Sequence, residues 1–164
     1  VGIPFYRGPP PTLIPNPGLA PDAEPVVVVC GLDGAGSIGI PGPSGNRPAI
    51  EEGVVLSTSA TATGAVLAGG MEVIGPQAVL SAGGVGNKML AVLRGDADMA
   101  MMHLGTSLWD TCAVEAILRA EGGTMTDMFG SPLLHRKGAS LINQYGVLAS
   151  SRHFANLDLQ HRSH

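Results

Sequence analysis

The chain reads as an α/β protein: a mixed, largely parallel sheet sandwiched by helices, preceded by a segment rich in proline and glycine. Three observations predict this. From Gly53 onward, short apolar runs alternate with stretches of helical periodicity, the order that builds strand–helix–strand units. Residues 109–123 carry an apolar stripe with start and stop signals for a helix. Finally, 11 of the 13 prolines lie within residues 1–50, which nearly excludes long regular elements there. Two regions follow: a connecting segment, 1–50, with one or two strands, and an α/β unit, 51–164.

Within the first region, Pro9-Pro10-Pro11 through Pro25 reads as an extended connection, Val26–Val29 as a β-branched strand buried on both faces, and Gly34–Asn46 as loop. In the second, strands are expected at Val54–Ser57, Ala78–Ser81, Ala97–Met102, Thr124–Met128 and Tyr145–Ala149. Helices are expected at Ala60–Ala68, at Val85–Leu93 and from Asp110 to the glycine pair, with a turn at Gly130-Ser131-Pro132. In the Asp110 helix, Ala113, Ala116, Ile117 and Ala120 form one apolar stripe. Glu115 and Arg119, four apart in the favourable order, pair on another face. Gly122 and Gly123 supply the left-handed C-terminal cap. The tail Ser151–His164 starts as helix and frays.

Composition narrows the function. A hydrophobic fraction of 45% and a mean hydropathy of +0.26 mark a globular chain. Only 13% of residues are charged, low for a free-standing domain, so part of the surface is expected to be covered by another chain or a further lobe. A net charge of −4 argues against nucleic acid as a partner. No apolar run reaches membrane-spanning length, and the N-terminal residues do not form a signal peptide. Cys30 and Cys112 are too few for a disulfide framework and lack paired metal spacing, which fits a reduced, cytoplasmic setting with Cys112 as a small buried side chain.

Two places carry candidate chemistry. Asp110 heads its helix, where the macrodipole favours a carboxylate; an N-cap and a rigidly held metal ligand are both open. The glycine-rich run Gly83–Lys88 opens the next helix upstream. It is either an anion cradle of backbone N–H groups with Lys88 adding a point charge, or a tight connection with Lys88 solvated. Met99, Met101 and Met102 read as core, Asp96 and Asp98 as turn residues beside Gly95, and His103 as a loop histidine.

Trp109-Asp110-Thr111-Cys112-Ala113, followed by Glu115-Ala116-Ile117-Leu118 and Gly122-Gly123-x-x-Thr126-Asp127 spacing, resembles the C-terminal metal motif of the inositol monophosphatase superfamily. Gly83-Gly84-Val85-Gly86-Asn87-Lys88 and Tyr145-Gly146-Val147-Leu148-Ala149 are similar to further segments of its 3'(2'),5'-bisphosphate nucleotidase branch. The resemblance covers about Leu80–Ser150. It implies the C-terminal lobe of a sugar-phosphatase-like fold and a Mg²⁺-dependent, lithium-sensitive phosphomonoesterase acting on a small phosphorylated substrate, a nucleotide or an inositol phosphate. It further implies Asp110 as catalytic metal ligand, Gly84, Gly86, Lys88 and Thr111 as substrate contacts, and Asp127 as structural support.

Two departures qualify this. The upstream Glu-Glu and Asp-Pro-x-Asp-Gly-Thr ligand segments are not found; Cys30-Gly31-Leu32-Asp33-Gly34-Ala35 echoes the latter, but a glycine-rich turn is the better reading of Asp33. The family's Ser-Arg-Ser-His strand end stands here as Ser57-Thr58-Ser59-Ala60. The resemblance therefore leaves three readings open: a bisphosphate nucleotidase acting on adenosine 3',5'-bisphosphate, an inositol polyphosphate 1-phosphatase-like enzyme, or a catalytically dead structural subunit. In the two enzyme readings the missing ligands are expected on an N-terminal lobe or another chain; in the third they are lost.

Overall fold

The computed structural model describes residues 29–152 except 33, 41–42, 60–63 and 103–104. The expectations for Val1–Tyr6, the polyproline run, Asp33, Ala60, His103 and the tail beyond residue 152 lie outside these residues, as does most of the Val26–Val29 strand.

The elements in chain order are β1 (Cys30–Leu32), β2 (Gly36–Ile38), β3 (Val55–Thr58), α1 (Ala65–Ile74), β4 (Ala78–Ser81), α2 (Val85–Leu93), β5 (Met99–Met102), α3 (Leu108–Ala120), β6 (Thr124–Thr126) and β7 (Val147–Ser150). Strands β4-β3-β5-β7-β6 form one mixed sheet. β3 pairs parallel with β4 and β5, whereas β7 runs antiparallel to both β5 and β6. The chain steps from β3 to β4 on one side, then crosses back over β3 to β5. Right-handed crossovers in opposite directions put their helices on opposite faces. Accordingly α1 lies on one face and α2, with α3, on the other.

The core follows that division. Val55, Ala100, Met102, Met125, Val147 and Ala149 meet Met89 and Val92 of α2 and Leu118 of α3. On the other face α1 comes so close that a methyl group on Gly70 would lie 2.4 Å from Met101 Sδ. The expected helix over Ala60–Ala68 thus sits further along the chain. The glycine pair Gly69-Gly70 does not end it, because Gly70 is the contact that lets α1 reach the sheet. The stop comes at Gly75, in the left-handed conformation with φ 57°, just before Pro76.

A second correction concerns Gly34–Asn46, expected as loop. Gly36–Ile38 returns antiparallel on Cys30–Leu32, and this hairpin packs on the outside of α3. A Cβ on Gly31 would stand 2.9 Å from both Ala120 Cβ and the Ile117 backbone. The apolar stripe of α3 is therefore used at Ile117 and Ala120 as a floor for the hairpin. Ser37 also bonds Glu121.

α3 ends as its glycines require. Gly122, with φ 77°, donates to Arg119 O at 2.9 Å, and Gly123 to Leu118 O at 2.9 Å, a Schellman closure. A Cβ on Gly123 would lie 2.7 Å from Leu118 Cδ1 and 2.7 Å from the Ser150 carbonyl. Because the backbone of β7 cannot yield, Gly123→Ala should destabilise the fold by about 1–3 kcal/mol. Thermal unfolding checks this; an unchanged midpoint would contradict the tight closure.

The acidic turn before β5 does more than turn. Asp98 accepts both ends of Arg47 (2.8 and 3.1 Å) and the Val55 N–H (2.8 Å), and buried Asp96 accepts the Ser44 N–H at 3.0 Å. These bonds fasten residues 44–47 across the end of the sheet opposite the candidate site.

Candidate active site

The sheet brings its functional ends together by register. Parallel pairing aligns the C-terminal ends of β3, β4 and β5, and the antiparallel pairs Met102–Val147 and Thr126–Leu148 add the start of β7 and the end of β6. Ligands of open α/β sheets bind beyond such carboxyl ends. Both segments singled out in the sequence open here: the Gly83–Lys88 turn after β4 and the head of α3 after β5.

Asp110 is not the N-cap. Ser107 caps α3, and Asp110 is the N3 residue of a capping box, its Oδ2 accepting the Ser107 N–H at 2.8 Å. The reason is the chain's entry: Ser107 bridges to Ile142 in extended conformation, so the helix starts one residue before Trp109. Asp110 is half-buried, and its carboxylate is oriented by this bond within the first turn, where the dipole favours negative charge. Thr111 is buried; its hydroxyl lies 3.3–3.4 Å from the Leu108 and Ser107 carbonyls and 3.4 Å from Asn143 Nδ2, so here it is turned into the protein.

Asn143 was not singled out by sequence. It donates its backbone N–H to Thr106 O at 2.9 Å and its side-chain amide to Thr106 Oγ1 at 3.0 Å. Leu108 N–H adds a bond to Leu141 O. These contacts tie the long segment between β6 and β7 to both sides of Asp110. A second tie lies one turn on, where buried Glu115 accepts from Arg119 Nε at 2.8 Å and from His135 Nε2 at 2.6 Å. The Glu115–Arg119 pair was legible from spacing; the histidine, 20 residues away in sequence, was not.

At the glycine-rich turn, Gly84 caps α2 with φ 73°, a conformation that excludes most side chains. A Cβ on Gly83 or Gly86 would meet nothing within 4 Å, so the turn is open to approach. Asn87 Nδ2 holds the Gly83 carbonyl at 3.0 Å. Lys88 is neither solvated nor extended: it is 3% exposed, and its Nζ folds back to the Gly84 carbonyl at 3.3 Å. It has no carboxylate partner among the described residues. Burial lowers its pKa from the ordinary lysine value. The unfolded chain therefore holds the proton more tightly, and the folded state is penalised below the depressed pKa and recovers as pH rises toward 10.5. Lys88→Met should accordingly raise the thermal midpoint at neutral pH while losing the gain on alkalinisation. A lower midpoint at pH 7 would show that the ammonium is not a burden.

Other candidates are structural. Thr58 is buried and donates to Met101 O at 3.0 Å. Asp127 Oδ1 accepts the N–H groups of Phe129 and Ser131 (2.9 and 2.8 Å), building the expected Gly130 turn. Cys112 is half-buried and free rather than enclosed. Among the described residues no three His, Cys, Asp or Glu side chains cluster as a metal site. Nor, among the described residues, is any helix long and apolar enough to cross a membrane.

The Inositol monophosphatase family profile matches residues 43–162, and the chain belongs to that family. It is 32% identical over 143 residues to 3'(2'),5'-bisphosphate nucleotidase 1 of Rattus norvegicus, covering 85% of this chain and 44% of the relative. To inositol polyphosphate 1-phosphatase of Bos taurus it is 40% identical over 76 residues, 46% of this chain and 18% of the relative. The fold is similar to that of Staphylococcal IMPase-II, with a TM-score of 0.55 at 17% identity over 73% of this chain and 47% of that one. The chain thus spans less than half the length of these relatives.

Proposed function

We propose that residues 51–164 form the substrate-side lobe of a cytoplasmic, Mg²⁺-dependent phosphomonoesterase of the bisphosphate nucleotidase type, acting on adenosine 3',5'-bisphosphate or a similar small phosphate ester. The observation that carries this reading is the shared position of an oriented carboxylate, Asp110, and an open glycine turn with Lys88 at one end of the sheet. The relatives, a bisphosphate nucleotidase and an inositol polyphosphate phosphatase, support the same reading. Asp110 would hold the metal and is the catalytic residue. Gly84 and Gly86 would present backbone N–H groups to a phosphate, with Lys88 unfolding from the Gly84 carbonyl to add its charge. Thr111 would reach the substrate only by turning from its inward hydrogen bonds.

The donor set suits this metal in part. Mg²⁺ is commonly held by one or two carboxylates, with waters and substrate phosphate completing its octahedron. Asp110 offers one such oxygen ligand, and the rest belongs to an N-terminal lobe or another chain. When bound, the ion supplies polarisation of the phosphate and a water of lowered pKa. The residues of this lobe orient the ester and neutralise its charge. The purified 164-residue chain is therefore expected to release no phosphate above background; Mg²⁺-dependent turnover by it alone would overturn the assignment of the missing ligands.

A second reading, an inositol polyphosphate 1-phosphatase-like substrate, is favoured by Thr58. Its hydroxyl is committed to Met101 O, so it offers nothing to a second nucleotide phosphate. Comparing phosphate release from adenosine 3',5'-bisphosphate and from inositol 1,4-bisphosphate by the longest polypeptide of this transcript separates the two.

A further inference from the structure

Asn143 belongs to the long connection between β6 and β7, yet it is only 7% exposed. Two local devices hold it. On its N-terminal side, the Ser140 hydroxyl donates to Ile142 O at 2.9 Å and accepts the Ile142 N–H at 3.2 Å. On its C-terminal side, the Asn143 carbonyl accepts the Gly146 N–H at 3.3 Å in a tight turn, with Gly146 at φ 69°. Val147 follows at once, fully buried and paired with Met102 at the end of β5. A short turn therefore fixes Asn143 relative to the sheet.

Its amide is spent on the start of α3. The chain leaves β5 at Met102 and reaches that helix through Thr106 and Ser107. Asn143 Nδ2 donates to Thr106 Oγ1 at 3.0 Å and lies 3.4 Å from Thr111 Oγ1, and its backbone N–H donates to Thr106 O at 2.9 Å. One residue thus holds the position before the N-cap and the position after Asp110. Between them, Ser107 gives its N–H to Asp110 Oδ2 at 2.8 Å. An amide group carries two N–H donors, so one asparagine can serve both threonine oxygens. An apolar side chain of that size would fill the space and orient neither.

We propose that Asn143 is a positioning residue for the candidate site. Through Thr106 it holds the Ser107 N–H against Asp110 Oδ2, and through Thr111 it steadies the first turn of α3, so the carboxylate keeps one direction. The inference rests on the reading of Asp110 as a metal ligand, and adds to it a residue that acts only through its neighbours. Ligating carboxylates are commonly oriented by hydrogen bonds one step out, and losing such a partner costs about 10–100-fold in metal affinity or activity. The Ser107 N–H is that partner for Asp110, and Asn143 fixes where it points.

Amide hydrogen exchange in the 164-residue chain tests this without metal or turnover. In Asn143→Ala the Ser107 N–H should exchange about tenfold faster. The Gly123 and Asp98 N–H groups, bonded to Leu118 O and Val55 O at the opposite end of the sheet, should keep their wild-type rates. Thr106→Val removes only the hydroxyl oxygen and should reproduce the effect; it also keeps the test in force if Asn143→Ala does not fold. The double variant should exchange no faster than Asn143→Ala, because both changes break one bond. In the longer polypeptide, each variant should raise the Mg²⁺ concentration for half-maximal phosphate release about 10–100-fold. The KM for the phosphate ester, set by Gly84, Gly86 and Lys88, should stay unchanged. Wild-type Ser107 exchange in both variants would overturn the proposal. So would an equal acceleration at Gly123 and Asp98, which would make Asn143 a residue of general stability. Unchanged Ser107 exchange removes Asn143 and leaves the phosphatase reading; absent phosphate release by the unmodified longer polypeptide removes that reading and leaves the Ser107 result.

Discussion

Asp110→Asn should lower Mg²⁺-dependent phosphate release by the longer polypeptide at least 100-fold, and leave the fold intact. The two halves of this expectation have separate causes. Asparagine keeps a side-chain oxygen able to accept the Ser107 N–H, so the capping box survives. What is lost is one negative charge near the helix N-terminus, about 0.3–1 kcal/mol of stability. A metal ligand is a different matter. A neutral amide is a poor partner for Mg²⁺, and the metal's share in stabilising transition-state charge is several kcal/mol, each ~1.4 kcal/mol being tenfold in rate. Steady-state rates across a Mg²⁺ titration check this, with circular dichroism as the control for folding. A variant that recovers full rate at high Mg²⁺ would mean that Asp110 only tunes affinity. A variant that unfolds would mean the carboxylate is structural.

Leu118→Ala should destabilise the fold by about 2–5 kcal/mol. Leu118 is 1% exposed and belongs to the core cluster with Met89, Met125 and Val147. Its carbonyl also receives Gly123, so the residue sits where the α3 closure meets the sheet. A cavity there has no flexible neighbour to fill it from the β7 side, where the Ser150 carbonyl is fixed by pairing. Since a domain of this size holds about 5–15 kcal/mol in total, the loss would be a large share. Urea unfolding measures it, and Leu118→Met, which conserves volume, should cost less than ~1.5 kcal/mol. Similar midpoints for the two variants would contradict the account of the core.

Much of this architecture was legible where one local signal acted alone. Val85–Leu93 matched its helix to the residue, because Gly84 and the apolar spacing agree. The Glu115–Arg119 pair and the Gly122-Gly123 stop followed from spacing and from the need for positive φ. Where long-range packing decides, the sequence was silent or misleading. The hairpin around Gly36 is made by the α3 surface it rests on, not by its own weak strand pattern. The position of α1 depends on Met101, 31 residues on, which gives Gly70 its purpose. Asn143 and His135 join α3 only through the fold of the segment between β6 and β7. Lys88 carries the same lesson for the site: its position on α2 was readable, but its retreat to the Gly84 carbonyl comes from burial that no local pattern encodes.

The central claim is that an oriented carboxylate and an open glycine turn make this lobe half of a metal-dependent phosphatase. It is tested most directly by phosphate release from adenosine 3',5'-bisphosphate with and without Mg²⁺, using the longest polypeptide the transcript encodes beside the 164-residue chain. Release by the longer form only, strictly dependent on Mg²⁺, is the predicted result. No release from this substrate or from inositol 1,4-bisphosphate by either form would contradict it and leave the lobe as a structural subunit.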